Sequence, residues 1–114
     1  MLQVCYNCNI YPLYFTKGVG DVYTVKESLK SMILFRAFNL VTGNYTLFSN
    51  PFDLIFCRNV MIYFDKPTQH AVIDHLLTAL APKGLFLIGH SESITRQDAR
   101  ITSVAPSIYQ KRGA

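Results

Sequence analysis

At the centre of the run FDLIFCRNVMIYFD, residues 52–65, an arginine and an asparagine break an otherwise apolar sequence. Arg58 and Asn59 bring a guanidinium and a carboxamide to what reads as the mouth of a buried strand. They are costly there unless something binds them. A second polar cluster, Gly89, His90, Ser91 and Glu92, ends another apolar run, GLFLIGH. Two chemistries compete for these clusters. One is ligand binding at the ends of neighbouring strands. The other is acyl transfer, because GHSES comes close to the GxSxG nucleophile elbow with Ser91 as nucleophile. Ser93 stands where that motif requires glycine, and the following ITRQDARITS is a poor helix pattern, so the hydrolase reading is the weaker.

Other chemistry-bearing residues lack the spacing they would need. Cys5 and Cys8 form a CxxC, yet a zinc site requires a second pair of ligands, and an irregular, proline-containing start does not suit a redox motif. With three cysteines no closed disulfide framework exists. His70 and His75 lie five apart rather than four, so they do not make a two-histidine metal site, and no metal is expected. KGVGD lacks the third glycine of a dinucleotide fingerprint.

The elements that must position Arg58 and Asn59 follow from periodicity. FDLIFC is apolar almost throughout, as in a strand covered on both faces. In DKPTQHAVIDHLLTALAPKG, Val72, Ile73, Leu76, Leu77 and Leu80 fall on one face, while Gln69, Asp74, His75 and Thr78 fall on the other. Asp65 suits an N-cap, Pro67 the first turn, and Pro82 with Gly84 a stop. The pattern predicts parallel strands over 53–57 and 85–89 joined by a helix over 67–80, a βαβ unit. Ligands bind at the carboxyl ends of parallel strands, which puts Arg58 and Asn59 on the same edge as the Gly89–Glu92 cluster. Upstream, YFTKGVGDVYTV reads as a hairpin, KESLK as a helical turn and SMILF as a third apolar run, a small antiparallel element over 14–35. SIYQKR reads as a closing edge strand.

Composition narrows the class. Of the 114 residues, 50% are hydrophobic and only 16% charged; a typical domain carries about 25% charged residues. The excess of apolar surface implies a partner or a larger domain. A net charge of +4 without basic runs argues against nucleic acid, and no stretch is long enough for membrane insertion. The opening MLQVCYNCNIYPL has neither a basic start nor a continuous apolar stretch, which points to a cytoplasmic chain with reduced thiols.

FDLIFCRNVMIYFD followed by APKGLFLIGHSES closely resembles the CheR-type chemotaxis receptor methyltransferases. LFRAFNL upstream and PSIYQKR at the end fit the same pattern, so the resemblance runs from about Tyr14 to Arg112. It implies an α/β fold: a partial, Rossmann-like class I methyltransferase sheet over 36–114, with a small antiparallel β-subdomain over 14–35. It implies an S-adenosylmethionine-dependent enzyme that methylates glutamate side chains in the cytoplasmic domain of chemotaxis receptors. By the same resemblance Asn39, Leu40, Arg58 and Asn59 contact the cofactor, and Tyr63, close to the donor methyl, is the catalytic residue. A carboxylate nucleophile is already ionised at neutral pH, so such chemistry calls for alignment and desolvation rather than a strong base. A complete member also has an upstream helical domain, a first cofactor motif and an acidic ribose ligand. None is found in these residues, which therefore resemble the C-terminal portion of the enzyme. TKGVGD is short for a loop that grips a receptor tail. The alternative reading is a non-catalytic remnant that binds receptors or signalling partners.

Overall fold

A computed structural model describes residues 11–90, 92–94 and 97–113. Cys5, Cys8 and Ser91, considered above, lie outside the described residues. The chain divides into two compact units, with the boundary between Ala37 and Phe38.

In the first unit a short helix, α1 (Tyr11–Tyr14), leads into β1 (Phe15–Lys17), which pairs antiparallel with β2 (Tyr23–Val25). The connecting loop is closed by a hydrogen bond from the Gly18 N–H to the Val22 carbonyl, 2.7 Å. Gly20 takes a left-handed φ of 71°, which glycine adopts without a Cβ penalty. A single helical turn, α2 (Glu27–Lys30), follows. The expected third strand in SMILF does not form: residues 33–39 have no ladder, and Met32, Leu34 and Phe35 are exposed. Among the described residues β1 and β2 pair only with each other, and this apolar segment has no strand partner there.

The second unit holds the βαβ arrangement. β3 (Phe52–Cys57) runs parallel to β4 (Leu80–Ile88), and α3 (Lys66–Ala79) crosses between them. β3 is matched residue for residue from Leu54↔Leu85 to Cys57↔Ile88. The strand ends turn, as expected, to the same edge. α3 begins where its chemistry dictates: the Asp65 carboxylate accepts from the Thr68 N–H at 3.0 Å, and proline sits in the first turn. Its far end is held by a residue from another element. The Lys111 ammonium donates to the carbonyls of Leu77 and Leu80 at 2.7 and 2.6 Å, satisfying two acceptors that a helix end leaves unpaired.

The C-terminal strands correct the sequence reading. β6 (Ile108–Lys111) is not an edge: it lies between β4 and β5 (Ile101–Ala105), giving the order β3-β4-β6-β5. Both its pairings are antiparallel, so the sheet is mixed. A two-residue turn, Pro106–Ser107, joins β5 to β6, with Ser107 at a φ of 61°. The fold is α/β, consistent with part of a class I methyltransferase sheet carrying a small antiparallel element.

One core serves this unit. Val72, Ile73, Leu76 and Leu77 of α3 pack on Cys57, Leu80, Phe86 and Ile88, with Met61 and Ile101 completing the cluster. Full burial of each large apolar side chain stabilises the unit by about 1.5–3 kcal/mol. Only one face of β3 is covered in this way. Leu54 and Phe56, on the other face, are exposed, so the expectation of a strand covered on both faces is not met within 38–114.

Candidate functional site: the carboxyl edge of the parallel strands

β3 stops at Cys57 because the chain must turn away to reach α3, and Asn59 makes that turn. Its φ of 58° is left-handed, a conformation asparagine tolerates far better than branched residues. A turn of 3-10 helix, Met61–Tyr63, follows and leads to the Asp65 cap. Gln69 holds this turn against the helix: its side-chain N–H group donates to the carbonyls of Met61 and Phe64 at 2.8 and 3.0 Å. The helical pattern places Gln69 on the solvated face, whereas in the structure it is a half-buried brace of the loop.

The central feature of the edge is Glu92, which the sequence reading named only as part of the second polar cluster. It is buried, at 9% exposed. One carboxylate oxygen accepts from the Gly89 N–H at 2.7 Å and the Asn59 N–H at 3.2 Å. The other accepts from the Ile62 N–H at 3.2 Å. Burying a carboxylate is costly unless hydrogen bonds replace its water, and three backbone donors do so here. Gly89 must remain glycine for this packing, since a Cβ would stand 2.5 Å from Asn59 Oδ1 and 2.8 Å from Glu92 Oε2. Burial, and next the nearby Glu92 charge, hold the Cys57 thiol above its ordinary pKa. Burial, then Cys57, does the same for the Tyr45 hydroxyl.

The expected site residues fall into two groups. Arg58, Asn59 and Tyr63 share the loop between β3 and α3. Arg58 is exposed and its side chain makes no hydrogen bond or ion pair among the described residues, and Tyr63 is 81% exposed. Asn39 and Leu40 form a separate turn. Asn39 spends its side-chain oxygen on the N–H groups of Val41 and Thr42, at 2.9 and 3.1 Å. The Leu40 carbonyl accepts from the Tyr45 hydroxyl at 2.8 Å. The Leu40 side chain lines an apolar cleft of about 220 Å³ with Phe38, Tyr45, Leu54 and Leu76. Among the described residues no hydrogen bond joins the two groups. His90 is exposed on the edge, and no helix follows it over 92–94 or 97–100, so the support a nucleophile elbow requires is missing there. His75 is exposed and stacks at 4.8 Å on Tyr45, and the described residues hold no cluster able to bind a metal ion.

Chemically, the edge offers a free guanidinium, an amide and a phenol on a loop whose backbone is fixed from below. That donor set fits a small polar ligand with an anionic tail, and the amino-acid end of S-adenosylmethionine is such a group. The Leu40 turn adds an apolar wall of the kind an adenine ring would meet. Among the described residues no helix is long and apolar enough to cross a membrane.

Comparison with known proteins names the fold. The profile described as "CheR methyltransferase, SAM binding domain" matches residues 7–109. The chain is 38% identical over 99 residues to chemotaxis protein methyltransferase 2 of Pseudomonas aeruginosa, covering 84% of this chain and 35% of that protein. It is 38% identical over 99 residues to the chemotaxis protein methyltransferase of Escherichia coli K12, covering 84% of this chain and 34% of that one. To the chemotaxis protein methyltransferase of Borreliella burgdorferi it is 41% identical over 98 residues, 86% of this chain and 34% of the relative. The chain thus spans about a third of the length of these relatives. It belongs to the CheR methyltransferase family, whose cofactor is S-adenosylmethionine.

Proposed function

We propose that these residues form part of a cytoplasmic methyltransferase that esterifies glutamate side chains of chemotaxis receptors. The observation that carries this reading is the loop between β3 and α3, where the Arg58 side chain is unpaired among the described residues, Tyr63 is exposed, and Glu92 fixes the backbone between them. In this reading Arg58 and Asn59 hold the cofactor's amino-acid end, with Asn39 and Leu40 contributing beside its nucleoside. When bound, S-adenosylmethionine supplies a methyl group on a sulfonium, which a glutamate carboxylate oxygen can take without deprotonation by a base. The protein's contribution is then placement: the Tyr63 hydroxyl orients the acceptor carboxylate.

The 114 residues on their own bind the cofactor weakly and do not turn it over. Each charged hydrogen bond missing from an incomplete site costs about 1.5–3 kcal/mol, and two such losses weaken a micromolar ligand roughly a hundredfold or more. A chimera tests the function. Here residues of this chain replace the matching stretch of the Escherichia coli relative, and transfer of tritiated methyl to a receptor cytoplasmic fragment is measured as alkali-labile label. The proposal expects glutamate methyl esters. A folded chimera that binds cofactor and transfers nothing would instead support a non-catalytic, partner-binding role, which the exposed apolar face of β3 favours.

A further inference from the structure

We propose that Glu92 is the positioning residue of this edge: its carboxylate sets the backbone of the Asn59–Tyr63 loop so that Asn59 and Tyr63 are presented to the cofactor. This inference rests on the methyltransferase reading above. It does not follow from the family match, which assigns no role to single residues.

The geometry distinguishes a clamp from an ordinary buried polar group. Glu92 reaches donors 30 and 33 residues away in sequence, Ile62 and Asn59, and one at its own strand end, Gly89. It therefore ties the end of β3 to the end of β4 at the point where both leave the sheet. Its two oxygens divide the work. Oε2 serves Asn59 and Gly89, while Oε1 serves Ile62, the residue before Tyr63. The Glu92 N–H in turn donates to the Gly89 carbonyl at 3.0 Å, which fixes the carboxylate's own backbone to β4. Neither Arg58 nor Tyr63 has a side-chain partner of its own among the described residues, so the backbone alone determines where they stand. Three acceptor positions facing three donors are a requirement only a carboxylate meets in full. An amide of the same shape must turn its NH₂ toward the Ile62 N–H or toward the Asn59 and Gly89 pair, and leaves the donors it faces unsatisfied.

The test compares the chain with Glu92→Gln and, keeping the charge but shortening the reach, Glu92→Asp. Amide hydrogen exchange at residue resolution is read alongside equilibrium dialysis with labelled S-adenosylmethionine at millimolar concentration. In Glu92→Gln the Ile62 amide, or the Asn59 and Gly89 pair, should exchange about tenfold faster or more, as the loss of one charged hydrogen bond implies. The Ile55 and Phe86 amides in the paired strands should keep their rates. Cofactor retention should fall by a similar factor, and Glu92→Asp should restore neither. Unchanged loop exchange, or acceleration of every amide together with a lower melting temperature, would overturn the clamp. So would a loosened loop with wild-type cofactor retention. If wild type itself retains no cofactor at millimolar concentration, the assignment of this loop to the cofactor fails and the positioning role falls with it, while the family membership stands; that outcome is recognisable because it appears before any substitution is made.

Discussion

At the scale of single residues, the edge depends on groups whose importance comes from packing rather than type. Asn59 could be read from the sequence as a ligand contact, but its left-handed φ is a second reason for asparagine that no pattern announces. Glu92 was legible only as a polar strand end, because its donors belong to a segment some thirty residues earlier. Gly89→Ala should disturb both at once, since the new methyl would press on Asn59 Oδ1 and on a carboxylate pinned by three hydrogen bonds. We expect faster exchange of the Asn59 and Ile62 amides and a lower melting temperature in that variant. Cys57 supplies a pH test. Its thiol pKa is raised above the ordinary 9.0, first by burial and then by Glu92. The fold thus favours the protonated thiol, and that contribution is present below pH 9.0 and lost as pH rises through the higher folded value. The stability advantage of wild type over Cys57→Ala should therefore hold up to pH 9.0 and shrink as pH rises above it, measured by urea midpoints. An advantage that stays constant would show that the thiol does not titrate with the fold.

At the scale of elements, local signals were the readable ones. The apolar face of α3, its aspartate cap and its proline predicted a helix over 67–80, and the structure has Lys66–Ala79. The parallel pairing of β3 with β4 followed from that crossover. What could not be read was strand order: β6 inserts between β4 and β5, a choice set by non-local packing of short runs. Lys111 shows the consequence, since its place inside the sheet lets it close the end of α3. Lys111→Met should lower stability by roughly 1.5–3 kcal/mol, the range for hydrogen bonds to a charged group. The loss should show as faster exchange in the last turn of α3, with the first turn unaffected. The opposite end responds to acid. Hydrogen bonds from the Thr68 side chain, then from its N–H, hold the Asp65 carboxyl below its ordinary pKa of 3.8. The cap is complete above that value and is lost as pH falls through the lower folded one. Asp65→Asn should remove this acid dependence from the helix signal in circular dichroism.

At the scale of the whole molecule, composition and structure agree on an uncovered surface. Only 16% of residues are charged, and Leu54 and Phe56 lie open on the face of β3 that α3 does not cover. Met32, Leu34 and Phe35 add exposed apolar area in the first unit. Surfaces of this kind drive association, so the isolated chain should self-associate with rising concentration in sedimentation velocity runs. Replacing Phe56, which is more exposed than Leu54, with lysine should reduce that tendency without unfolding the core. The central claim is that the loop between β3 and α3 is the cofactor edge of a methyltransferase. Hydrogen exchange of the chain at low concentration, with and without millimolar S-adenosylmethionine, addresses it most directly. Slower exchange confined to residues 58–63 and 39–40, with the hairpin over 15–25 unchanged, is the predicted result. Protection elsewhere, with the loop exchanging as it does without ligand, would contradict it.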